Sequence, residues 1–235
     1  MLQTTPRWTT YRVPDTLADD TEESVVGTEW HQEAIGDTAG KIREAARRQS
    51  AAWGVCEQVA IAGLRHADGR PYDPRPDAMV LSRPLPSGGI STIALADVGA
   101  PLFIAEVASR STMADDVGDK RLAYEAIGVP EYIVFDPDGA LLSTPLLAWR
   151  LDGDSYVSWR PGDDGLWRSA VLGIALRPTQ PLLSIYDHTG QEIPGTAGLH
   201  ALTERLQASL EEEQRYRIAI EEELQRLREQ HSTST

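Results

Sequence analysis

Cysteine is nearly missing from this chain of 235 residues, where Cys56 stands alone. A single thiol closes no intramolecular disulfide and builds no cysteine-based zinc cluster, and it fits a reducing cytoplasm. Lysine is almost as scarce: of 22 Lys and Arg residues, only Lys41 and Lys120 are lysine. No apolar run approaches the ~20 residues that a membrane helix needs. Met1 to Thr10 lacks the apolar core of a secretory signal, so neither membrane insertion nor export is expected. Positive charge is in overall deficit. The net charge is −14 and the pI about 4.7, which argues against a general nucleic-acid coat or an anionic-membrane binder. A nuclease stays open, because a bound divalent metal offsets the field locally.

What is present divides into three stretches. Residues 1–27 read as a polar, acidic arm: Asp15, Asp19, Asp20, Glu22 and Glu23 occur with no basic residue between them. A domain is expected over 28–195 and a polar helix over 199–230. The domain opens with a helix from Glu29 to about Trp53, whose Ile35, Ala39, Ile42 and Ala46 share one face. Gly36 and Gly40 weaken this helix while allowing close packing. Strands are expected over Val55–Leu64 and Asp77–Ser82. The clearest strand is Leu102–Ala108, where Ile104, Glu106 and Ala108 face one way and Phe103, Ala105 and Val107 the other. Both faces are apolar apart from Glu106, so the strand reads as central and covered on both sides. A helix capped by Ser111 or Thr112 runs to about Ile127 and stops at Gly128, and a strand follows over Glu131–Asp136. Beyond Asp138, runs at Leu146–Leu151, Tyr156–Arg160, Ala170–Leu176 and Leu182–Tyr186 read as an antiparallel extension, with a hairpin turn at His188-Thr189-Gly190. In the last stretch Leu199, Thr203, Leu206, Leu210, Glu213, Arg217, Ile220, Leu224 and Leu227 step by 4 and 3. That pattern suits a short coiled coil and a homodimer formed through it, and equally a surface helix packed on its own domain.

Glu106 is out of place, since a carboxylate in a buried strand costs several kcal/mol unless a metal or an ammonium group neutralises it. Asp77 opens the neighbouring apolar strand. Lys120 lies on the helix that follows Glu106, with Asp116 and Tyr124 at i−4 and i+4 on the same face. Hard cations such as Mg²⁺ take oxygen ligands, commonly one or two carboxylates with water and substrate phosphate. A lysine flanked by carboxylates stays protonated and suits an electrostatic role. Asp, Glu and Lys so arranged are the parts of a metal-dependent hydrolytic site.

The order Pro76-Asp77, then Glu106-Val107-Ala108-Ser109, resembles the core of the PD-(D/E)XK nucleases. More narrowly, Asp116, Lys120, Tyr124, Gly128-Val129-Pro130-Glu131-Tyr132 and Val134-Phe135-Asp136-Pro137 resemble the Uma2 family of bacterial restriction-endonuclease-like proteins. The likeness spans roughly residues 28–190. It implies an α/β restriction-endonuclease-like core, with a central mixed sheet flanked by helices, a β-rich extension and a C-terminal helix. It implies a Mg²⁺- or Mn²⁺-dependent endonuclease acting on DNA. Asp77, Glu106 and the Val107 carbonyl would bind the metal, with Lys120 catalytic and Asp116 and Tyr124 in support; apart from the motif, Glu33 on the first helix could approach the metal from the other side as a further supporting residue. Two departures stand out. The usual motif has lysine two residues after the glutamate, where this chain has Ala108, so Lys120 is its candidate replacement. Ile133 stands where the family usually has tryptophan, a change expected to affect packing only.

Simpler roles exist for each residue. Asp77 can cap a turn, and Glu106 can bond backbone amides. Asp116 can complement the helix dipole, Tyr124 can pack its ring, and His31 and Glu33 can be structural. Asp136 is most simply a strand-ending turn residue. The histidines lack zinc spacing, and Ser109 lacks the partners of a serine nucleophile. The rival functions are a catalytically inactive nuclease-fold module that binds or assembles through its C-terminal helix, and a nuclease acting on RNA or a small nucleotide.

Overall fold

The computed structural model describes residues 23–66, 70–85 and 90–195, together with 207, 210, 213–218 and 220. The chain divides into two compact units, Met1–Ile193 and Pro194–Thr235.

The first unit begins with α1, Glu23–Arg48. This helix starts before the expected Glu29 and stops short of Trp53, where the chain turns through Ser50 at a φ of 52°. Ala34, Ile35, Ala39, Ile42 and Ala45 form its buried stripe. Gly36 and Gly40 do not serve close packing: a β-carbon at either position would meet nothing within 4 Å.

The strands are β1 Gly54–Glu57, β2 Ala60–Ala62, β3 Leu64–Arg65, β4 Pro71–Tyr72, β5 Ala78–Leu81 and β6 Thr92–Ala94. The short helix α2, Leu95–Val98, precedes β7, Phe103–Val107. Next comes α3, residues 113–126, which is α-helical over Met113–Asp115, π-helical over Asp116–Lys120 and α-helical again over Arg121–Ala126. It ends at Gly128, whose φ of 81° suits a residue without a β-carbon. The remaining strands are β8 Glu131–Phe135, β9 Leu146–Asp152, β10 Ser155–Ser158, β11 Trp167–Arg168, β12 Ala175–Thr179 and β13 Leu182–Tyr186.

Six strands form the main sheet in the order β1-β5-β7-β8-β9-β10. Within this sheet only β7 and β8 are parallel, and α3 makes the crossover between them that a parallel pair needs. The central position and complete burial of β7 match the expectation from its two apolar faces. On one face, Val80, Phe103, Ala105, Val107, Ile133 and Phe135 pack with α1 and with the small antiparallel sheet β11-β12-β13. On the other, Met79, Ile104, Tyr132 and Val134 pack with Met113, Val117 and Tyr124 of α3. Ile133 is wholly buried in the first of these cores.

Two expected strands differ. The run Val55–Leu64 is broken because Gln58 adopts a φ of 51°, and its amide donates to the carbonyls of Pro76 and Asp77. The run Ala170–Leu176 is mostly a turn, closed by Ser169 N to Ile174 O and Gly173 N to Ser169 O, so β12 begins only at Ala175. The hairpin turn at His188–Gly190 is present: Asp187 N donates to Gln191 O and Tyr186 bridges to Glu192. No helix among the described residues is long and apolar enough to cross a membrane.

In the second unit residues 207, 210, 213–218 and 220 are helical, and Leu210, Tyr216, Ile218 and Ile220 are exposed. Most of the expected heptad seam, from Leu199 to Leu206 and beyond Ile220, lies outside the described residues, as does the arm before Glu23.

Candidate active site

The antiparallel register of β5 and β7 pairs Ala78 with Ala105, so the residues one step further, Asp77 and Glu106, stand opposite each other. They are tied by crossed hydrogen bonds. Asp77 N donates to Glu106 Oε2 at 3.1 Å, and Val107 N donates to Asp77 Oδ2 at 2.8 Å. Pro76 cannot donate to the ladder, and its carbonyl is instead held by the Gln58 amide at 3.0 Å. The pair therefore sits where regular pairing of β5 stops, near the C-terminal end of the parallel pair β7 and β8, a position where open α/β sheets place ligands.

α3 covers this end of the sheet and delivers three side chains to it. The Lys120 ammonium lies 3.0 Å from Glu106 Oε2 and 2.8 Å from Asp116 Oδ1. The Tyr124 hydroxyl donates to Glu106 Oε1 at 2.8 Å. Asp116 and Lys120 are the end residues of the π turn, an element often found at functional sites. The Asp116 carbonyl takes the Tyr132 hydroxyl at 2.7 Å, which pins the start of that turn to β8. Glu106 and Asp116 are 0% exposed and Lys120 is 8% exposed.

The electrostatics follow from this burial. Burial pushes Glu106 well above the usual carboxylate range, and the charges of Asp116 and Asp77 push it further while Lys120 opposes them. Burial likewise raises Asp116 against the pull of Lys120. Burial alone would lower Lys120, but Glu106 and Asp116 outweigh it and hold the ammonium above its ordinary value. Tyr124 is also raised, by burial first and then by Glu106, so its hydroxyl stays a donor. Were all three carboxylates ionised beside the one ammonium, the group would be short of two positive charges, the amount one divalent cation carries.

Asp77, Glu106, Lys120, Asp116 and Tyr124 are thus brought together, and Val107 joins them through its amide. Glu33 is not brought in. It is exposed on α1, which packs against the opposite face of the sheet, and among the described residues no hydrogen bond or ion pair links it to the group. Two further buried acids serve the fold. Glu131 pairs with Arg150 at 2.9 Å and accepts from Ala170 N. Asp136 accepts from the amides of Gly139, Leu141 and Leu142, which makes it the strand-ending turn residue it resembled.

A rim beside the site had not been anticipated. The Tyr72 hydroxyl donates to the Asp115 carboxylate at 3.1 and 3.2 Å, its ring lies 4.5 Å from that of His66, and His66 Nδ1 is 3.6 Å from Asp119 Oδ2. Burial raises the Tyr72 phenol, and Glu106 contributes after Asp115 and Asp119. The available signal was Asp115 and Asp119 at i, i+4, each next to a residue of the Asp116–Lys120 pair.

Among the described residues, no three His, Cys, Asp or Glu side chains are grouped so as to hold a metal by themselves. Two acidic residues set opposite each other in the sheet register, with water and phosphate completing a shell, would nevertheless match the way Mg²⁺ is commonly bound.

A family model, Uma2, described as "Putative restriction endonuclease", matches residues 18–167. Asp77, Glu106, Asp116, Lys120 and Tyr124 all lie inside that span. Among solved structures, the chain is similar to one described as the crystal structure of "a putative nuclease belonging to DUF820" from Anabaena variabilis ATCC 29413. The two share 16% identity with a TM-score of 0.40, over 55% of this chain and 66% of that one. No curated protein matches.

Proposed function

The chain belongs to the Uma2 family, and from that premise we propose that it is a divalent-metal-dependent endonuclease that hydrolyses DNA phosphodiester bonds. The observation that carries this reading is the fully buried Glu106, set opposite Asp77 with the Lys120 ammonium 3.0 Å away. Asp77, Glu106 and the Val107 carbonyl would hold Mg²⁺ or Mn²⁺. The cation supplies polarisation of the phosphoryl oxygen and a water acidic enough to attack at neutral pH. Lys120 orients that water and neutralises charge developing on phosphorus. An ammonium with two carboxylate neighbours stays protonated, so it acts as a charge and not as a base. Tyr124 fixes the rotamer of Glu106, and Asp116 supports Lys120. With a net charge of −14, DNA is expected to approach only where a metal and local arginines overcome the general repulsion.

The test is incubation of purified protein with linear, supercoiled and branched DNA in Mn²⁺. Wild type should nick or cut, and Glu106→Ala should lose both metal and cleavage. Lys120→Met should keep the metal and lose about 10²-fold or more in turnover, the scale of removing one charge-stabilising group. Cleavage that survives Glu106→Ala contradicts the proposal.

The rival reading, an inactive module that assembles through its C-terminal helix, draws on the acidic charge and on the exposed Leu210, Tyr216, Ile218 and Ile220. Under that reading Mn²⁺ does not bind near Asp77, and Glu106→Ala leaves assembly through the helix unchanged.

A further inference from the structure

Both oxygens of the Glu106 carboxylate are already engaged. Oε1 takes the Tyr124 hydroxyl at 2.8 Å, and Oε2 takes the Asp77 amide at 3.1 Å together with the Lys120 ammonium at 3.0 Å. A tyrosine hydroxyl and a backbone amide are dipoles, and a carboxylate oxygen can keep such donors while it coordinates a cation. A second positive charge on the same oxygen is another matter, because like charges at such separation repel strongly where water is excluded. Lys120 has somewhere else to go. The same ammonium lies 2.8 Å from Asp116 Oδ1. Neither oxygen of that wholly buried carboxylate has a well-aligned hydrogen bond among the described residues. The Asp116 main chain is held by the Tyr132 hydroxyl, which keeps the root of this second carboxylate in place.

We infer that Lys120 is the built-in counter-ion of the metal centre: its ammonium neutralises Glu106 in the metal-free protein, an arriving divalent cation displaces it from Glu106, and Asp116 retains it beside the site. The arrangement rests on the reading of Glu106 as a metal ligand and adds to it an exchange of cations on one carboxylate. Asp116 is then a positioning residue. It keeps the lysine within the site at the moment Glu106 lets it go, so the same ammonium that stabilises the empty protein is on hand for the phosphate.

The scarcity of lysine makes this directly measurable. Protein carrying ¹³Cε-labelled lysine gives signals from only two residues, Lys41 and Lys120. Lys41 sits on α1, bound to Asp37 at 2.7 Å and to the Leu183 carbonyl at 2.9 Å, and serves as an internal reference. Loss of one signal in either Lys41→Arg or Lys120→Met assigns both. On titration with Mg²⁺, the Lys120 signal should move to a new position as the metal site fills, with Lys41 unmoved. Parallel calorimetry with Mn²⁺ should show Lys120→Met binding about ten-fold tighter than wild type, the scale of one unit charge removed from a partly screened site. Arg121→Met, which removes a neighbouring charge that does not touch Glu106, should change affinity less than about two-fold. The gain of Lys120→Met should vanish when Glu106→Ala is added. Metal binding with an unmoved Lys120 signal, or a gain that persists without Glu106, overturns the counter-ion assignment while leaving the metal site standing. Absence of binding in wild type and in every variant removes the metal site itself, and the assignment with it.

Discussion

Glu106 has four neighbours that explain it, and the sequence disclosed some of them. A lone charge in the run Leu102–Ala108 marked the position, Pro76-Asp77 marked its partner, and the rarity of lysine drew attention to Lys120. The i, i+4, i+8 spacing of Asp116, Lys120 and Tyr124 put the helical contributions on one face. Other contacts were invisible because they join residues with no shared periodicity: Tyr132 to the Asp116 carbonyl, and Tyr72 to Asp115 across 43 positions. Glu33 is a different case. A supporting role and a solvated one were both open to this helical acid, and beside the buried stripe Ala34, Ile35 and Ala39 it is exposed. At this scale one substitution isolates the hydroxyl bond. Tyr124→Phe keeps the ring packing of the core and leaves Glu106 Oε1 without its donor. Metal-free protein should lose about 1–3 kcal/mol in denaturant unfolding, the cost of an unmade hydrogen bond to a buried acceptor. Unfolding indistinguishable from wild type would mean that this bond contributes nothing.

Elements explain why the residues meet. β7 was legible because two apolar faces require a central strand, and the strand-helix-strand order around α3 was legible from its flanking apolar runs and its glycine stop, although Thr112 at the start of the helix makes no side-chain cap bond. The π turn was not. Its ladder over Asp116–Lys120 has no signature in composition. The break at Gln58 was also hidden, since a positive φ at a non-glycine residue is imposed by the amide bonds to Pro76 and Asp77. Two glycines make the element-level account testable with opposite signs. At Gly54, in β1, an added β-carbon would fall 2.3 Å from the Arg83 carbonyl oxygen, with backbone atoms of Arg83 and Pro84 at 3.1 Å. Backbone cannot swing aside, so Gly54→Ala should displace β1 from β5 and lower stability by about 1–3 kcal/mol. At Gly36, inside α1, the same carbon meets nothing within 4 Å. Gly36→Ala should raise stability by roughly 1 kcal/mol through helix propensity alone. Thermal unfolding of the two variants beside wild type checks both signs, and matching signs would contradict the packing described for β1 or α1.

At the scale of the whole molecule, the contrast is between a chain of net charge −14 and a buried cluster in which acids outnumber the one lysine. The family match over 18–167 encloses every member of that group. The fold class was readable because patterning and motif order agreed, whereas the separate β11-β12-β13 sheet was read only as an undivided extension, since antiparallel runs do not announce which sheet they join. Everything functional depends on Asp77 and Glu106 sharing one cation. The most direct measurement is an anomalous difference map from crystals of the wild-type protein grown in Mn²⁺. The account predicts a single strong peak about 2 Å from a carboxylate oxygen of each of those two residues, gone in Glu106→Ala. A map with Mn²⁺ bound elsewhere and no peak between them would contradict it.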